Sequence, residues 1–235
     1  MLEVPAGSRT PRRPSRDWLI VSSVPGRAYG EAALARGLQD LKWVAPRAMA
    51  HEAVVEHFLT ATAVLPMQLF TMFTGDARAL EHVASDRRRI AAILKRLERQ
   101  TEWGLRLTWS PDIVAPAPRP PAARGSKIKA RAPSGTAYLA RKRDQFDEAR
   151  LRLTELRAQA DRMYRAISRE ATAARRRTAT EEAAPGSRLL LDAAFLVPVR
   201  RTIAFRAVVR RHARALAGSG LTVSITGPWP AYNFI

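Results

Sequence analysis

Cysteine is missing altogether from the 235 residues, which excludes disulfides, thiol catalysis and thiolate metal sites and fits a reducing cytoplasm. Histidine is scarce, at His51, His57, His82 and His212, and there is no HExxH pair. His51 and His57 are too far out of helical phase to share one face, so a metal centre would need ligands from distant segments. The glycine-rich phosphate cradles GxGxxG and GxxxxGKS/T are absent, as is the GxSxG nucleophile turn. No apolar run approaches the roughly 18–20 residues that span a bilayer. The first residues carry no apolar h-region, so they do not read as a secretory signal. Lysine is rare too, confined to Lys42, Lys95, Lys127, Lys129 and Lys142.

What is abundant is arginine. Lysine and arginine together number 40 against 21 acids, a net charge of +19. Such a field attracts acidic proteins, anionic surfaces or nucleic acid. A bias so strongly toward arginine reads first as compositional drift from GC-rich codons, with a dedicated polyanion site as the alternative. Most carboxylates alternate with arginine, as in DEARLRLTELR, and are explained by solvated helix pairs rather than an acid/base dyad. Gly218-Ser219-Gly220 is read as a helix-to-strand turn rather than a nucleophile site. No catalytic, cofactor-binding or metal residue is assigned, and no enzyme activity is expected.

Along the chain, residues 1–17 read as a disordered basic arm. An N-terminal α+β domain is expected over 18–109. It opens on a strand at WLIVSSV (18–24) and continues through a helix with Ala33, Leu34, Leu38 and Leu41 in phase. A second helix runs from Pro46 to about Thr60 with Met49, Ala53, Val54 and Phe58 on its stripe. AVLPMQLFTMF (63–73) is β-like, with Pro66 placing it at a strand start, an edge or a bulge. One amphipathic helix is expected over 77–99, and a half-buried strand over 102–109 with Trp103, Leu105, Leu107 and Trp109 inward. That strand is assignable to either domain.

Residues 110–135 are a proline-rich basic linker, and 136–235 a C-terminal α+β domain. Leu139, Phe146, Leu153, Ala160 and Ile167 recur every seventh residue, with Ala149, Leu156 and Met163 in the complementary row, which Lys142 and Glu170 break at its two ends. This is a long helix, either with a coiled-coil-like seam or packed along its own domain, the second reading being preferred. Arg175–Arg177 would sit near its C-terminus, where cations suit the helix dipole. A buried strand over 188–199 follows, then a helix over 200–217 with Phe205, Val208, Val209, His212 and Leu216 in phase. The last strand (221–227) turns Leu221, Val223 and Ile225 inward.

The end, GPWPAYNFI (227–235), crowds three aromatics into a proline-bounded tail. Trp229, Tyr232 and Phe234 either fold back to plug the domain's own core or form an aromatic docking surface for an apolar partner.

LLLDAAFLVP, a spacer helix and LTVSITGPWPAYNFI resemble the C-terminal signature of the gas vesicle protein F/L family (GvpF/GvpL). That family ends typically in Gly-Pro-Trp-Pro-Pro-Tyr, Asn or Ser, then Phe; Ala231 stands here at the second of the paired prolines. Upstream, the Tyr29–Trp43 stretch, RAMAHEAVVEHF, VLPMQLFTMF, TEWGLRLTW and GTAYLARKR follow in the family's order, so the likeness covers about residues 18–235. Two departures are visible. Gln68 replaces a common basic residue, and no aromatic-rich strand of the Tyr-Val-Tyr type precedes Trp18. The second implies either a misassigned start or a first domain with an unpaired sheet edge.

The resemblance implies two α+β domains, the C-terminal one ferredoxin-like with helical additions. It also implies a cytoplasmic, gas-vesicle-associated assembly factor that binds the hydrophobic shell protein and other accessory proteins. The residues expected to bind protein are Trp229, Tyr232, Phe234, Phe70 and Phe73. A nucleic-acid-binding protein using 9–16, 119–131 and 175–177 is the alternative. Stacking aromatics interleaved with those runs are missing, so nucleic acid would bind only nonspecifically, through basic charge.

Overall fold

The computed structural model describes residues 2–3, 17–110, 135–178 and 186–235, so most of the expected basic arm and nearly all of the linker lie outside the described residues. The chain divides into two compact units, Met1–Thr101 with Trp229–Ile235, and Glu102–Pro228. Helix and sheet are both well represented, an α+β protein. Strand 102–109, assignable to either domain from sequence, goes with the second unit, whereas the tail, expected in the C-terminal domain, goes with the first.

In the first unit, Leu2–Glu3 (β1) pairs antiparallel with Trp18–Leu19 (β2), so these first residues are strand rather than arm. Only two residues of WLIVSSV are strand, those paired with Leu2 and Glu3, and after Pro25 the chain enters the short helix α1 (Gly26–Tyr29). The expected helix across Gly30–Trp43 is broken. α2 spans Glu31–Gly37, and α3 starts afresh at Leu41 and runs to His57. Asp40 makes the break, its side chain accepting from the Lys42 amide at 2.9 Å as an N-cap. Pro46 therefore lies inside α3 rather than in its first turn. The Arg47 guanidinium there donates to the Trp43 carbonyl at 2.8 Å.

Residues 63–73 are not a strand. The Thr71 amide and hydroxyl both donate to the Gln68 carbonyl, at 3.1 and 2.8 Å, closing a turn on Phe70 at φ 65°. Its two aromatic residues pack on rings instead, Phe70 on Trp43 and Phe73 on His82. The single helix expected over 77–99 is two, α4 (Asp76–Ser85) and α5 (Arg87–Leu97), separated at Asp86. Ala79, Val83 and Leu97 are the buried residues of this pair.

The second unit is built as βαββαβ. β3 (Gln100–Trp109) leads to the long helix α6 (Gly135–Ser168), then β4 (Ala173–Arg176) and β5 (Arg188–Pro198). α7 (Thr202–Ala215) and β6 (Leu221–Trp229) complete it. The strand order β4-β5-β3-β6 is that of a ferredoxin-like sheet. β4 is new: helical periodicity carried α6 past residue 170, but the helix ends at Ser168. Ala173-Ala174-Arg175-Arg176 has weak β-propensity, and its strand exists through antiparallel pairing with β5, Ala173 opposite Leu196 and Arg176 opposite Ala193. Arg175 and Arg176 are thus strand residues, not a helix terminus.

Trp103, Leu105, Leu107, Leu191, Phe195 and Val197 from the sheet meet Leu156, Ala160, Met163 and Ile167 of α6 and Phe205 and Val209 of α7. Four rings run through this core in sequence: Tyr164–Phe195 at 5.8 Å, Phe195–Phe205 at 5.7 Å and Phe205–Trp103 at 6.1 Å. Two expectations of alternation fail. β3 buries Glu102 and Gly104 as well as its apolar row, and on the edge strand β6 the core reaches Val223 while Ile225 is exposed. Gly104 is required by close approach, since a Cβ there would lie 2.6 Å from the Thr226 hydroxyl oxygen and 3.3 Å from an Arg177 nitrogen. Arg177 is held in place by Asp192, whose buried carboxylate accepts from its Nε at 2.8 Å and from Arg106 at 3.4 Å.

Candidate functional site

Gly227, at φ 117°, turns the end of β6, and a cis bond joins it to Pro228. Pro230 and Ala231 are buried, and Tyr232–Phe234 closes a 3-10 turn, the Phe234 amide donating to the Ala231 carbonyl at 3.2 Å. Two side chains of the first unit hold this turn. Glu52 on α3 accepts from the Tyr232 hydroxyl, and Arg96 on α5 donates to the Phe234 carbonyl. Phe234 itself is only 6% exposed. By contrast Trp229 and Ile235, at either end of the same segment, are 37% and 42% exposed.

The five residues singled out in the sequence therefore differ in kind. Phe234 is interior, Tyr232 is half-buried and hydrogen-bonded, and Trp229 is exposed. Phe70 and Phe73 are half-buried, each seated on its own ring partner: Phe70 on Trp43 at 5.4 Å, Phe73 on His82 at 5.3 Å. Phe70 in the left-handed region is costly for an aromatic residue, on the order of 1–3 kcal/mol, and the Trp43 stack helps to hold it there.

Sequence reasoning missed the centre of this second cluster. Arg47 lies 3.8 Å from the Trp43 ring centroid and 5.3 Å from that of Tyr29, while Tyr29 and Trp43 are 6.0 Å apart. The signal was present, because Trp43 and Arg47 are an i,i+4 pair on one helix face. Glu52 had no such signal; its partner is 180 positions away.

The other candidate surfaces are partly committed to internal pairs. Of the basic run at 175–177, Arg176 binds Asp161 at 2.5 Å and lies 4.5 Å over the Tyr164 ring, and Arg177 binds Asp192. The basic runs at 9–16 and 119–131 lie outside the described residues. Among the described residues, no group of three His, Cys, Asp or Glu side chains gathers as a metal site. No helix there is long and apolar enough to cross a membrane.

What the arrangement offers is apolar and aromatic surface on an anchored frame. The family model described as "Gas vesicle synthesis protein GvpL/GvpF" matches residues 17–235, and the chain belongs to that family. Gas vesicle protein L from a Streptomyces species is 30% identical over 218 residues, covering 92% of this chain and 78% of that protein. Two crystal structures of gas vesicle protein GvpF share the fold. The one from an Anabaena species superposes with a TM-score of 0.56 at 15% identity, over 80% of this chain and 73% of that one. The one from Microcystis aeruginosa gives 0.52 at 16% identity, over 83% and 78%.

Proposed function

We propose that this chain is a gas vesicle assembly factor that acts in the cytoplasm by binding the hydrophobic shell protein and other vesicle proteins while the vesicle forms. A subunit that polymerises into a wall with an apolar side is aggregation-prone beforehand, and a partner that offers it apolar surface suppresses that route. Binding suffices for this role; no turnover is needed.

The observation that carries the reading is the split character of the tail. Phe234 and Tyr232 fasten the segment, leaving Trp229 and Ile235 exposed on a held backbone. A large aromatic kept exposed by a rigid anchor is the usual composition of an interface hot spot. In this proposal Trp229 makes contact and Phe234 and Tyr232 position it. Phe70 and Phe73 contribute through the 63–73 turn, near the exposed Met72 of the same segment.

The test is co-expression with the small shell protein, followed by co-purification and by the yield of soluble shell protein. Wild type is expected to retain it in solution, and the Trp229→Ala/Ile235→Ala double variant to lose most of that effect while still unfolding cooperatively. Equal retention by both would remove the tail from the account.

A further inference from the structure

The 34-residue helix α6 is about 50 Å long at 1.5 Å per residue, and only its second half is used by its own core. Leu156, Ala160, Met163 and Ile167 are buried there. Going back toward the N-terminus, the same seven-residue row passes through half-buried Leu153 to Phe146 and Leu139, which are 73% and 66% exposed. The row is thus core at one end and bare at the other.

The charges beside the bare end are sorted. Arg143, Arg150 and Arg157 repeat every seventh residue, each four positions after an apolar member of the row, and all three are exposed. Spacing of four on a helix puts this arginine row directly alongside the apolar row. Asp144, Asp147, Glu148 and Glu155 fall on the opposite side of the helix at 100° per residue, and they too are exposed. In coiled-coil terms the arginines hold the e position, which together with g sets the choice of partner.

A second copy of this helix is a poor partner. Antiparallel pairing would set e against e, arginine against arginine. Parallel pairing would set Arg157 against Arg152 of the g row, with no acid on either flank to compensate. A helix with acidic flanks would meet every arginine with an opposite charge.

We infer that the N-terminal half of α6, through Leu139, Phe146 and Leu153 flanked by Arg143, Arg150 and Arg157, docks an amphipathic helix of another protein whose apolar stripe is bordered by Glu or Asp. This goes beyond shell-protein binding by the tail and does not depend on it. The site lies on a different element, and its specificity is electrostatic as well as apolar.

The experiment uses the full chain and two synthetic four-heptad helices, identical in their leucine a/d stripe, one with glutamate and one with lysine at every e and g position. Fluorescence anisotropy should show the glutamate helix binding at least tenfold more tightly than the lysine helix, an advantage that shrinks as salt rises. Leu139→Asp/Phe146→Asp should abolish binding of the glutamate helix. Arg143→Glu/Arg150→Glu/Arg157→Glu should reverse the preference between the two helices, a result that mere unfolding cannot produce. Equal binding of both helices, or of neither, overturns the inference. So does a wild-type dimer in sedimentation that Phe146→Asp dissolves, since the occupant would then be a second copy. Loss of shell-protein capture on changing Trp229 would leave all of these readouts unaffected.

Discussion

The two units of this chain differ in how deeply they bury apolar side chains. Among the described residues, the largest fully buried side chains are Phe195, Phe205, Leu105, Leu107, Met163, Ile167, Leu196 and Val197 in the second unit, and only Leu97 in the first. Conversely Leu41 and Met49 of the first unit are 78% and 72% exposed, and Trp18, Leu38, Val54 and Met72 are exposed as well. The second unit is a sheet with two helices packed on it, whose stability comes from burial. The first is a set of helices with few buried contacts, and the last seven residues of the chain supply two of its buried apolar side chains, Ala231 and Phe234. Both units expose apolar surface, Phe146 and Ile203 of the second being 73% and 81% exposed, but only the second also has a large buried core. A protein that must hold an apolar partner needs both, since surface committed to its own core is unavailable to the partner.

That contrast can be tested by substitution. Phe205→Ala in the ring column of the second unit should cost the most, about 3–5 kcal/mol in urea unfolding, because its neighbours are too well packed to close the void. Phe234→Ala should cost less, about 2–3 kcal/mol, since a chain end relaxes more readily around a cavity than a sheet does. Its effect should fall on the first unit, read as faster amide exchange in α3 and α5 with the sheet strands unchanged. Equal loss of protection in both units would refute the division. Asp192→Ala should destabilise by about 2 kcal/mol, because it leaves the Arg177 and Arg106 guanidinium groups without their shared carboxylate. Tyr232→Phe, removing only the hydroxyl that donates to Glu52, should cost about 1 kcal/mol by thermal unfolding.

Much of this was legible in the sequence where periodicity and burial agree. The α+β class, the strand at 102–109, the buried strand at 188–199 and the helix bearing Phe205 and Val209 all follow from apolar spacing. The family showed in the ordered blocks that end at Phe234. What periodicity missed was decided by interactions remote in sequence or by single residues. β4 is made by its pairing with β5, not by its alanines and arginines. The breaks at 38–40 and at Asp86 are interruptions of three residues and one inside otherwise continuous helical patterns. Phe70 in a left-handed turn cannot be read from a stretch as β-rich as AVLPMQLFTMF. The tail was odd in composition, and both readings of it hold something: Phe234 is a plug, whereas Trp229 is exposed. No local pattern could divide them, because the division depends on Glu52 and Arg96.

Trp229→Ala gives the most direct test of the central claim; with the side chain 37% exposed and the rest covered, it should cost about 1–2 kcal/mol, no more than Phe234→Ala. Shell-protein capture and thermal unfolding should be measured side by side on wild type, Trp229→Ala and Tyr232→Phe. The account predicts that Trp229→Ala stays folded yet loses most capture, while Tyr232→Phe, destabilised by a comparable amount, keeps most of it. Full capture by Trp229→Ala, or loss of capture only in step with loss of stability, would contradict it.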